Sequence, residues 1–291
     1  MIPQAHITAW RAAAPWVDDA QVEQDLVLSR AVVELFTEPE LRDHLALRGG
    51  TALNKLFIQP PSRYSEDIDL VQTTPGSIGE VLNTVRQRLD PWLGRPKRSA
   101  AIASATLAYR FESEVPPVRS LRLKIEMNTR EHFAILGFKH RRFVVKNPWF
   151  TGDAEVTTYE LDELLGTKLR ALYQRRKGRD LFDLWLGLSR GLVDADRVVK
   201  CFLAYMKHEG AAISRAEFER TLHEKQNKPS FQADLIPLLA EGVTYDAAMA
   251  MTLIRETLIR QLPGEPWRGP MASNEITERR EPAERNNKRN R

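Results

Sequence analysis

The chain has 291 residues, enough for two domains of ordinary size, and its hydrophobic fraction of 42% allows a normal buried core. A single cysteine, Cys201, excludes a disulfide framework and fits a reducing compartment. The sequence shows no N-terminal signal pattern and no apolar run long enough to span a bilayer. We therefore expect a cytoplasmic protein without a membrane partner.

The net charge of +4 conceals a concentrated basic segment. Residues 86–146 carry fourteen Lys and Arg against five acids, which gives this segment a net charge of +9. An excess of one sign on one domain indicates a surface that faces a polyanion, and nucleic acid is the expected partner. The alternative is an ordinary solvated face of an arginine-rich protein.

The pattern of apolar residues predicts an N-terminal α/β part. Apolar residues three to four apart predict a helix over residues 22–36, and a capping box that begins at Ser77 predicts a second helix to about residue 93. A short helix is expected over residues 51–57. Strands are predicted at residues 45–47, 105–111, 121–127, 142–146 and 155–159, and along the run that contains Asp67 and Asp69.

The second half of the chain changes character. After Tyr159 the pattern is helical to about residue 262, and the residues from Pro263 onward contain too little apolar surface to form a core. The sequence therefore predicts an α/β domain over residues 1–157, a helical C-terminal domain over residues 158–262, and a disordered tail over residues 263–291.

The Asp67-Ile68-Asp69 run is the most informative motif. Residues two apart on a strand point to the same face, so Asp67 and Asp69 present two carboxylates side by side. Their repulsion is costly unless a cation lies between them, and paired carboxylates suit Mg²⁺. Upstream, the Gly49-Gly50-Thr51 turn runs into a short helix and offers backbone N–H groups to a triphosphate. Turn, helix and Asp-x-Asp strand in this order resemble the polymerase-β-like nucleotidyltransferase fold.

A third carboxylate follows on another strand. The alternation of residues 121–127 places Glu126 on the polar face together with Arg122 and Lys124. Two-metal phosphoryl transfer uses a further carboxylate to complete the metal site and to deprotonate the attacking hydroxyl. The alternative for Glu126 is an ordinary ion pair with a nearby basic residue.

Two charges fall within apolar helical surfaces. Lys168 lies in the middle of an apolar stripe, so its ammonium must reach a carboxylate or a ligand phosphate. Asp183 is the one charge in a helix that is apolar nearly all round, and it therefore needs a fixed cationic partner. The alternatives are a structural ion pair between Lys168 and Asp183 that braces the two domains, and a helix N-cap role for Asp180.

Four segments in order resemble the AbiEii/AbiGii nucleotidyltransferase toxins of bacterial type IV toxin–antitoxin and phage-defence systems, a family that includes the mycobacterial MenT-type enzymes. The segments are Gly49-Gly50-Thr51-Ala52-Leu53, Arg63-Tyr64-Ser65-Glu66-Asp67-Ile68-Asp69-Leu70, Lys124-Ile125-Glu126 and Lys168…Arg176…Arg179-Asp180…Asp183. The resemblance covers residues from about 20 to 260. It implies a polymerase-β-like α+β domain with a mixed sheet, followed by an α-helical domain.

The resemblance also implies an activity. Members transfer a nucleoside monophosphate from an NTP to a target, which for the better-understood members is the 3′ end of tRNA, and a cognate antitoxin is a further expected partner. By position, Ser65 and Asp67 match the Ser-x-Asp of the active site, Lys168 matches the essential lysine, and Asp180 or Asp183 matches the downstream aspartate. The sequence departs from the pattern at Glu126, where many relatives carry Asp, and at Thr51, where the wider superfamily has Ser.

The combined expectation is Mg²⁺-dependent in-line transfer of a nucleotide to an RNA hydroxyl. The expected catalytic residues are Asp67, Asp69, Glu126, Lys168 and Asp183. The expected metal ligands are Asp67, Asp69 and Glu126. The expected nucleotide-binding residues are Gly49, Gly50, Thr51, Ser65, Lys168 and Asp180. Two alternatives remain open at this point: a GTP- or NTP-binding protein without transferase turnover, and a protein that phosphorylates its own Ser65.

Overall fold

The computed structural model describes residues 2–226 and 228–269. Within them the strands are β1 (Leu45–Arg48), β2 (Asp67–Gln72), β3 (Lys97–Ala101), β4 (Ser104–Glu112), β5 (Ser120–Asn128), β6 (Phe138–Asn147) and β7 (Phe150–Tyr159). The α-helices are α1 (Gln4–Trp10), α2 (Asp19–Thr37), α3 (Pro39–His44), α4 (Gly49–Ala52), α5 (Ile78–Leu93), α6 (Leu161–Gln174), α7 (Gly178–Ser189), α8 (Ala195–His208), α9 (Arg215–Gln226), α10 (Pro229–Ala233) and α11 (Ala247–Thr257). A π-helical turn (Leu53–Phe57) continues α4, and two 3₁₀ turns (Ile236–Leu238 and Ile259–Gln261) flank α11.

The seven strands form one mixed sheet in the order β3-β4-β5-β2-β1-β7-β6. β2 runs parallel to β5 and β1 runs parallel to β7, whereas the other neighbours are antiparallel. Helix α2 packs across one face of this sheet from β5 to β6, and α5 packs beside it on β4. The expected α/β fold with a mixed sheet and helices after it is confirmed.

Strand β5 shows why the sequence predicts this sheet well. Leu123, Ile125 and Met127 are fully buried under α2, and Leu121, nearer the start of the strand, is half-buried. The intervening residues, including Glu126, point to the opposite face, because side chains alternate along a strand. The core thus lies on one face of the sheet and leaves the other face at β2 and β5 for polar side chains.

The helices after β7 lie across from β2. Helix α6 packs against α7 and α8, and α11 packs against α7. The segment before β2 is tied to this helical part, because Arg63 forms an isolated β-bridge with Leu239 and the Tyr64 N–H donates to the Leu238 carbonyl at 2.7 Å. This attachment brings α6 and α7 opposite the Asp-x-Asp strand.

The sequence pattern does not predict three elements of the structure: α1, α3 and β3. Strand β3 lies at the edge of the sheet with all five residues exposed, so it has no buried face that could impose alternation. Helices α1 and α3 have seven and six residues, too few for a helical period to be recognised. The helix expected from residue 51 begins two residues earlier, at Gly49.

The expected disorder from Pro263 is wrong for residues 263–269. The Pro263 carbonyl accepts a hydrogen bond from the Arg215 N–H at 2.8 Å, and the Trp267 N–H donates to Glu219 Oε2 at 2.7 Å. The Trp267 ring also lies 5.0 Å from the His223 ring, measured between centroids. These residues therefore pack on α9, and the rest of the predicted tail, residues 270–291, lies outside the described residues.

The basic segment does not form one continuous surface, which corrects the reading of its +9 charge as a single field. Its residues on β3, β4 and β5 lie toward one edge of the sheet, whereas those on β6 lie at the opposite edge. On β6, Lys139 pairs with Glu160 and Arg142 pairs with Asp153.

In the part of the chain that the structure describes, no helix is long and apolar enough to cross a membrane.

Candidate active site

Gly49 and Gly50, the first two residues of α4, follow β1 directly and form the floor of a cleft. Gly49 has φ +77°, and a Cβ at this position would collide with Asp69 Oδ2. A Cβ on Gly50 would lie 2.5 Å from Arg63 Nη2 and 2.9 Å from Ser65 Oγ. Glycine is therefore required at both positions, because a side chain at either one would displace groups of the cleft.

The two aspartates of β2 face this cleft, as the sequence predicts. In the register of the sheet Asp67 lies beside Lys124, and Asp69 lies between Arg48 on β1 and Glu126 on β5. Asp67 Oδ1 is buried and has no hydrogen-bond partner. Burial, and after it the charges of Asp69 and Glu66, raise the pKa of the Asp67 carboxyl to about 6.

An unsatisfied buried carboxylate oxygen beside a second carboxylate is the environment that a cation relieves. Asp67 and Asp69 offer hard oxygen ligands on one rigid strand, so they fit Mg²⁺. Glu126 instead forms an ion pair with Lys124. Among the described residues, no group of three or more Asp, Glu, His or Cys side chains is gathered closely enough to hold a metal ion. The structure thus brings Asp67 and Asp69 together. It places Glu126 beside Asp69 but paired with Lys124.

Thr51 and Ser65 connect the turn to β2. The Thr51 side chain is fully buried, and its hydroxyl donates to the Asp67 carbonyl at 2.5 Å and lies 3.0 Å from Ser65 Oγ. Ser65 lines the cleft, whereas Thr51 does not. The Thr51 hydroxyl thus fixes the turn against β2, and its expected nucleotide contact stays a prediction.

Lys168 on α6 enters the cleft from the helical side. The residue is 5% exposed, and its Nζ lies 2.9 Å from Asp183 Oδ2 and 3.3 Å from Asp180 Oδ1. The partner that an ammonium within an apolar stripe requires is therefore present. Lys168 also lines the cleft.

Asp183 lies behind Lys168 and is fully buried. Arg63 forms a bidentate pair with it: Nε donates to Oδ1 at 2.6 Å and Nη2 donates to Oδ2 at 2.7 Å. Burial alone would raise the pKa of Asp183, but Arg63 and Lys168 outweigh it and lower the pKa to about 2. Asp183 does not line the cleft and holds Arg63 and Lys168 in place. Its part in catalysis stays a prediction.

Asp180 is also fully buried. It accepts from Arg175 Nε at 2.7 Å and from Arg175 Nη2 at 2.8 Å, and it does not line the cleft. Helix α7 begins at Gly178, so Asp180 is not an N-cap. The Asp180 carboxylate holds Arg175, which lines the cleft, and the expected nucleotide contact of Asp180 stays a prediction.

Sequence reasoning missed three arginines of the cleft: Arg48, Arg63 and Arg170. Glu131 accepts from both Arg48 and Arg170, the latter at 2.7 Å, and Arg170 also reaches Glu209 at 2.9 Å. A signal existed for two of them, since Arg48 directly precedes the Gly49-Gly50-Thr51 segment and Arg63 is the first residue of the segment that contains Asp67 and Asp69. Their partners lie 83 and 120 residues away in the chain, beyond the reach of any local pattern.

The complete cleft has a volume of about 410 Å³ and is strongly polar. Its lining includes seven cationic residues: Arg48, Arg63, Lys124, Lys168, Arg170, Arg175 and Arg179. It includes four acids: Glu66, Asp67, Asp69 and Glu126. Acids lie on the sheet side and most cations on the helical side. This separation suits a ligand that is itself polyanionic and carries a divalent cation.

A mixed sheet with a Gly-Gly turn and an Asp-x-Asp strand, closed by helices that carry a buried lysine, defines a nucleotidyltransferase. The family model described as "Nucleotidyl transferase AbiEii toxin, Type IV TA system" matches residues 30–251. The chain belongs to this family of nucleotidyltransferase toxins.

Solved structures share the fold. The nucleotidyltransferase toxin MenT4 from Mycobacterium tuberculosis H37Rv superposes with a TM-score of 0.67 at 16% identity, and the match covers 91% of each chain. A candidate nucleotidyltransferase from H. pylori gives a TM-score of 0.51 at 16% identity, covering 85% of this chain and 100% of that one. Among curated proteins, none matches the chain significantly.

Proposed function

We propose that this toxin transfers a nucleoside monophosphate from an NTP, with Mg²⁺, to the 3′-hydroxyl of an RNA, and that the RNA is a tRNA. The observation that carries the proposal is the pair Asp67 and Asp69 facing a cleft whose opposite wall is built of cations. A protein that only binds nucleotides needs no buried carboxylate left without a partner, because that arrangement is costly.

The cations of the helical wall bind the triphosphate. Lys168, Arg175 and Arg179 line the cleft opposite β2, and the first two are held in place by Asp180 and Asp183. Preorganised cations stabilise the charge that develops on transferring phosphoryl groups without reorganising during the reaction. Gly49 and Gly50 allow the phosphates to approach the backbone closely, because no side chain stands above them.

The chemistry is an in-line displacement. The RNA hydroxyl oxygen forms a bond to the α-phosphorus, the bond from the α-phosphorus to the bridging oxygen breaks, and pyrophosphate leaves with that oxygen. The hydroxyl proton passes to a carboxylate, either Glu126 or Asp67. Mg²⁺ held by Asp67 and Asp69 supplies Lewis-acid polarisation and neutralises phosphate charge when bound.

The surroundings of Glu126 support this role. It lies beside Asp69 on the neighbouring strand, and its present partner Lys124 is only partly buried. A solvent-accessible ion pair of this kind is weak, so Glu126 can exchange Lys124 for a substrate hydroxyl at little cost.

The biological setting follows from the family. A type IV toxin implies an antitoxin as a partner. We place the protein in the cytoplasm, where NTPs and tRNA are found, and assign it a role in toxin–antitoxin control or phage defence.

Labelled nucleotides distinguish this function from its alternatives. The protein is incubated with Mg²⁺, total tRNA and each NTP in turn, labelled either at the α- or at the γ-phosphate. α-Label on tRNA supports the proposal. γ-Label on the protein, lost in Ser65→Ala, would establish self-phosphorylation, which the position of Ser65 in the cleft makes the second candidate. NTP binding without either product would leave a nucleotide-binding protein.

A matched pair of variants controls the assay. Asp69→Asn removes one expected metal ligand and should reduce transfer on the order of 10³-fold. Asp153→Asn removes an exposed carboxylate on β7, far from the cleft, and should leave transfer unchanged.

A further inference from the structure

The sheet continues beyond the cleft on the side of β5. Residues paired across neighbouring strands lie on the same face of a sheet. The register therefore places on the face of the cleft one row across four strands: Asp67, Lys124, Ala108 and Lys97. A second row runs parallel to it: Asp69, Glu126, Thr106 and Ser99. The active-site carboxylates thus stand at one end of a strip that leads outward to the edge strand β3.

Four cations surround the small residue Ala108 on this strip. We call them the basic square: Lys97, Arg110, Arg122 and Lys124. Arg110 and Arg122 face each other across β4 and β5. With strands about 4.8 Å apart, Lys97 lies about 10 Å from Lys124, and the rise along β5 places Arg122 about 7 Å from Lys124.

Three members of the basic square are free to bind a partner. Lys97, Arg110 and Arg122 are exposed. Elsewhere in the basic segment, Arg119 pairs with Asp18 and Arg142 pairs with Asp153. Among the residues that the structure describes, no acid forms an ion pair with Lys97, Arg110 or Arg122. Mutually repelling, unpaired cations at this spacing indicate a surface that an anion completes.

We propose that the basic square binds the phosphate backbone of the single-stranded 3′ end of the RNA acceptor and leads it to Glu126. This inference rests on the proposed function and assigns its acceptor a place. In-line transfer requires the attacking and leaving oxygens on opposite sides of the phosphorus. The triphosphate cations lie on the helical wall, so the acceptor enters from the opposite side, where the basic square lies.

The chemistry of the strip favours an RNA backbone. Its floor is made of small side chains, Ala108, Thr106 and Ser99, which leave room for a chain to lie flat. None of these residues, and none of the basic square, is aromatic, so the strip offers no platform for base stacking. Contacts to phosphates position a nucleic acid without reading its sequence. The nucleotides just before the 3′ end should therefore be bound with little base preference.

The test measures binding of a short single-stranded RNA by the full chain at several salt concentrations. Lys97→Glu/Arg110→Glu removes two cations of the basic square without touching the cleft. The control Arg88→Glu/Lys146→Glu makes the same charge change at two exposed positions, on α5 and on the opposite edge strand β6. A thermal-shift assay measures NTP binding by all three proteins.

The expected change follows from counterion release. Each lost phosphate contact lowers the slope of log affinity against log salt by about 0.7, so two contacts lower it by about 1.4 and weaken binding at 0.1 M salt at least roughly 25-fold. The two new glutamates add repulsion to this loss. The control should retain the slope of the wild type, and NTP affinity should be equal in all three proteins.

Other results overturn the inference. Equal losses in the test and control variants would show that only net charge matters. Wild-type protein that fails to bind RNA but binds an acidic peptide through the basic square would show that the surface serves a protein partner. If RNA binding depends on the basic square but no α-label reaches RNA, the proposed function fails and the binding surface stands.

Discussion

Lys168 separates a catalytic role from a merely structural one, because it lines the cleft and also completes a buried ion cluster. The change Lys168→Met removes the ammonium and keeps most of the packing of the side-chain stem on the apolar stripe of α6. The structure shows what remains afterwards. Asp183 keeps both hydrogen bonds from Arg63, and Asp180 keeps both from Arg175.

The expected loss of stability is therefore small. Neither carboxylate is stranded, so the loss of the contacts to Asp183 and Asp180 should stay within the range of a charged hydrogen bond, about 1.5–3 kcal/mol. Arg63→Met instead leaves Asp183 with Lys168 alone and should cost about 3–5 kcal/mol. Lys177→Met is the control, since it removes a lysine whose pair with Asp234 is partly exposed and should change stability by less than about 1 kcal/mol.

Urea unfolding and the rate of nucleotide transfer are measured on the same samples. Lys168→Met should unfold near the wild type yet lose transfer on the order of 10²–10³-fold, because the cation acts on charge that develops in the transition state. If Lys168→Met is as unstable as Arg63→Met while Lys168→Met/Asp183→Leu is both stable and active, Lys168 has only a structural role.

Three further outcomes are expected. Burial and neighbouring carboxylates raise the pKa of Asp67 to about 6, so its ionisation above about pH 4 destabilises the fold. Without Mg²⁺ at pH 7, Asp67→Asn should therefore raise the free energy of unfolding by up to about 3 kcal/mol and move the urea midpoint upward. An unchanged midpoint contradicts this. As the pH falls from about 4 to 2, protonation of Asp183, whose pKa is lowered to about 2, should remove on the order of 2 kcal/mol. Arg63→Met/Asp183→Leu should lack this loss, and an equally steep acid limb would disprove the assignment. Gly49→Ala should cost about 1–3 kcal/mol and abolish transfer, since its Cβ meets a site carboxylate, whereas Gly191→Ala, with positive φ but open space, should stay active.

Local patterns predicted the parts of the site that lie within one element. Asp67 and Asp69 share a face because alternation along a strand leaves no other arrangement. Lys168 has a buried carboxylate partner because a lysine in an apolar stripe needs one. Both conclusions follow from a period of two or 3.6 residues and need no knowledge of the tertiary fold.

The long-range pairs could not be predicted in the same way. Arg63 can be buried, at 2% exposure, because it forms an ion pair with Asp183 on α7. No residue near Arg63 in the sequence indicates that partner. For the same reason Asp183 looked like a group of the reaction, although the structure places it one layer behind the cleft. Strand β3 was missed because an exposed edge strand carries no apolar period.

We propose that the paired aspartates and the cationic wall transfer a nucleotide to an RNA 3′-hydroxyl. The most direct measurement follows α-labelled NTP with Mg²⁺ into two tRNA samples, one with an intact 3′-hydroxyl and one ending in a 3′-deoxynucleotide. Label should appear only on the intact tRNA, and Asp69→Asn should remove it. Label on the 3′-deoxy tRNA would contradict transfer to the 3′-hydroxyl, and equal incorporation by Asp69→Asn would contradict the role of the paired aspartates.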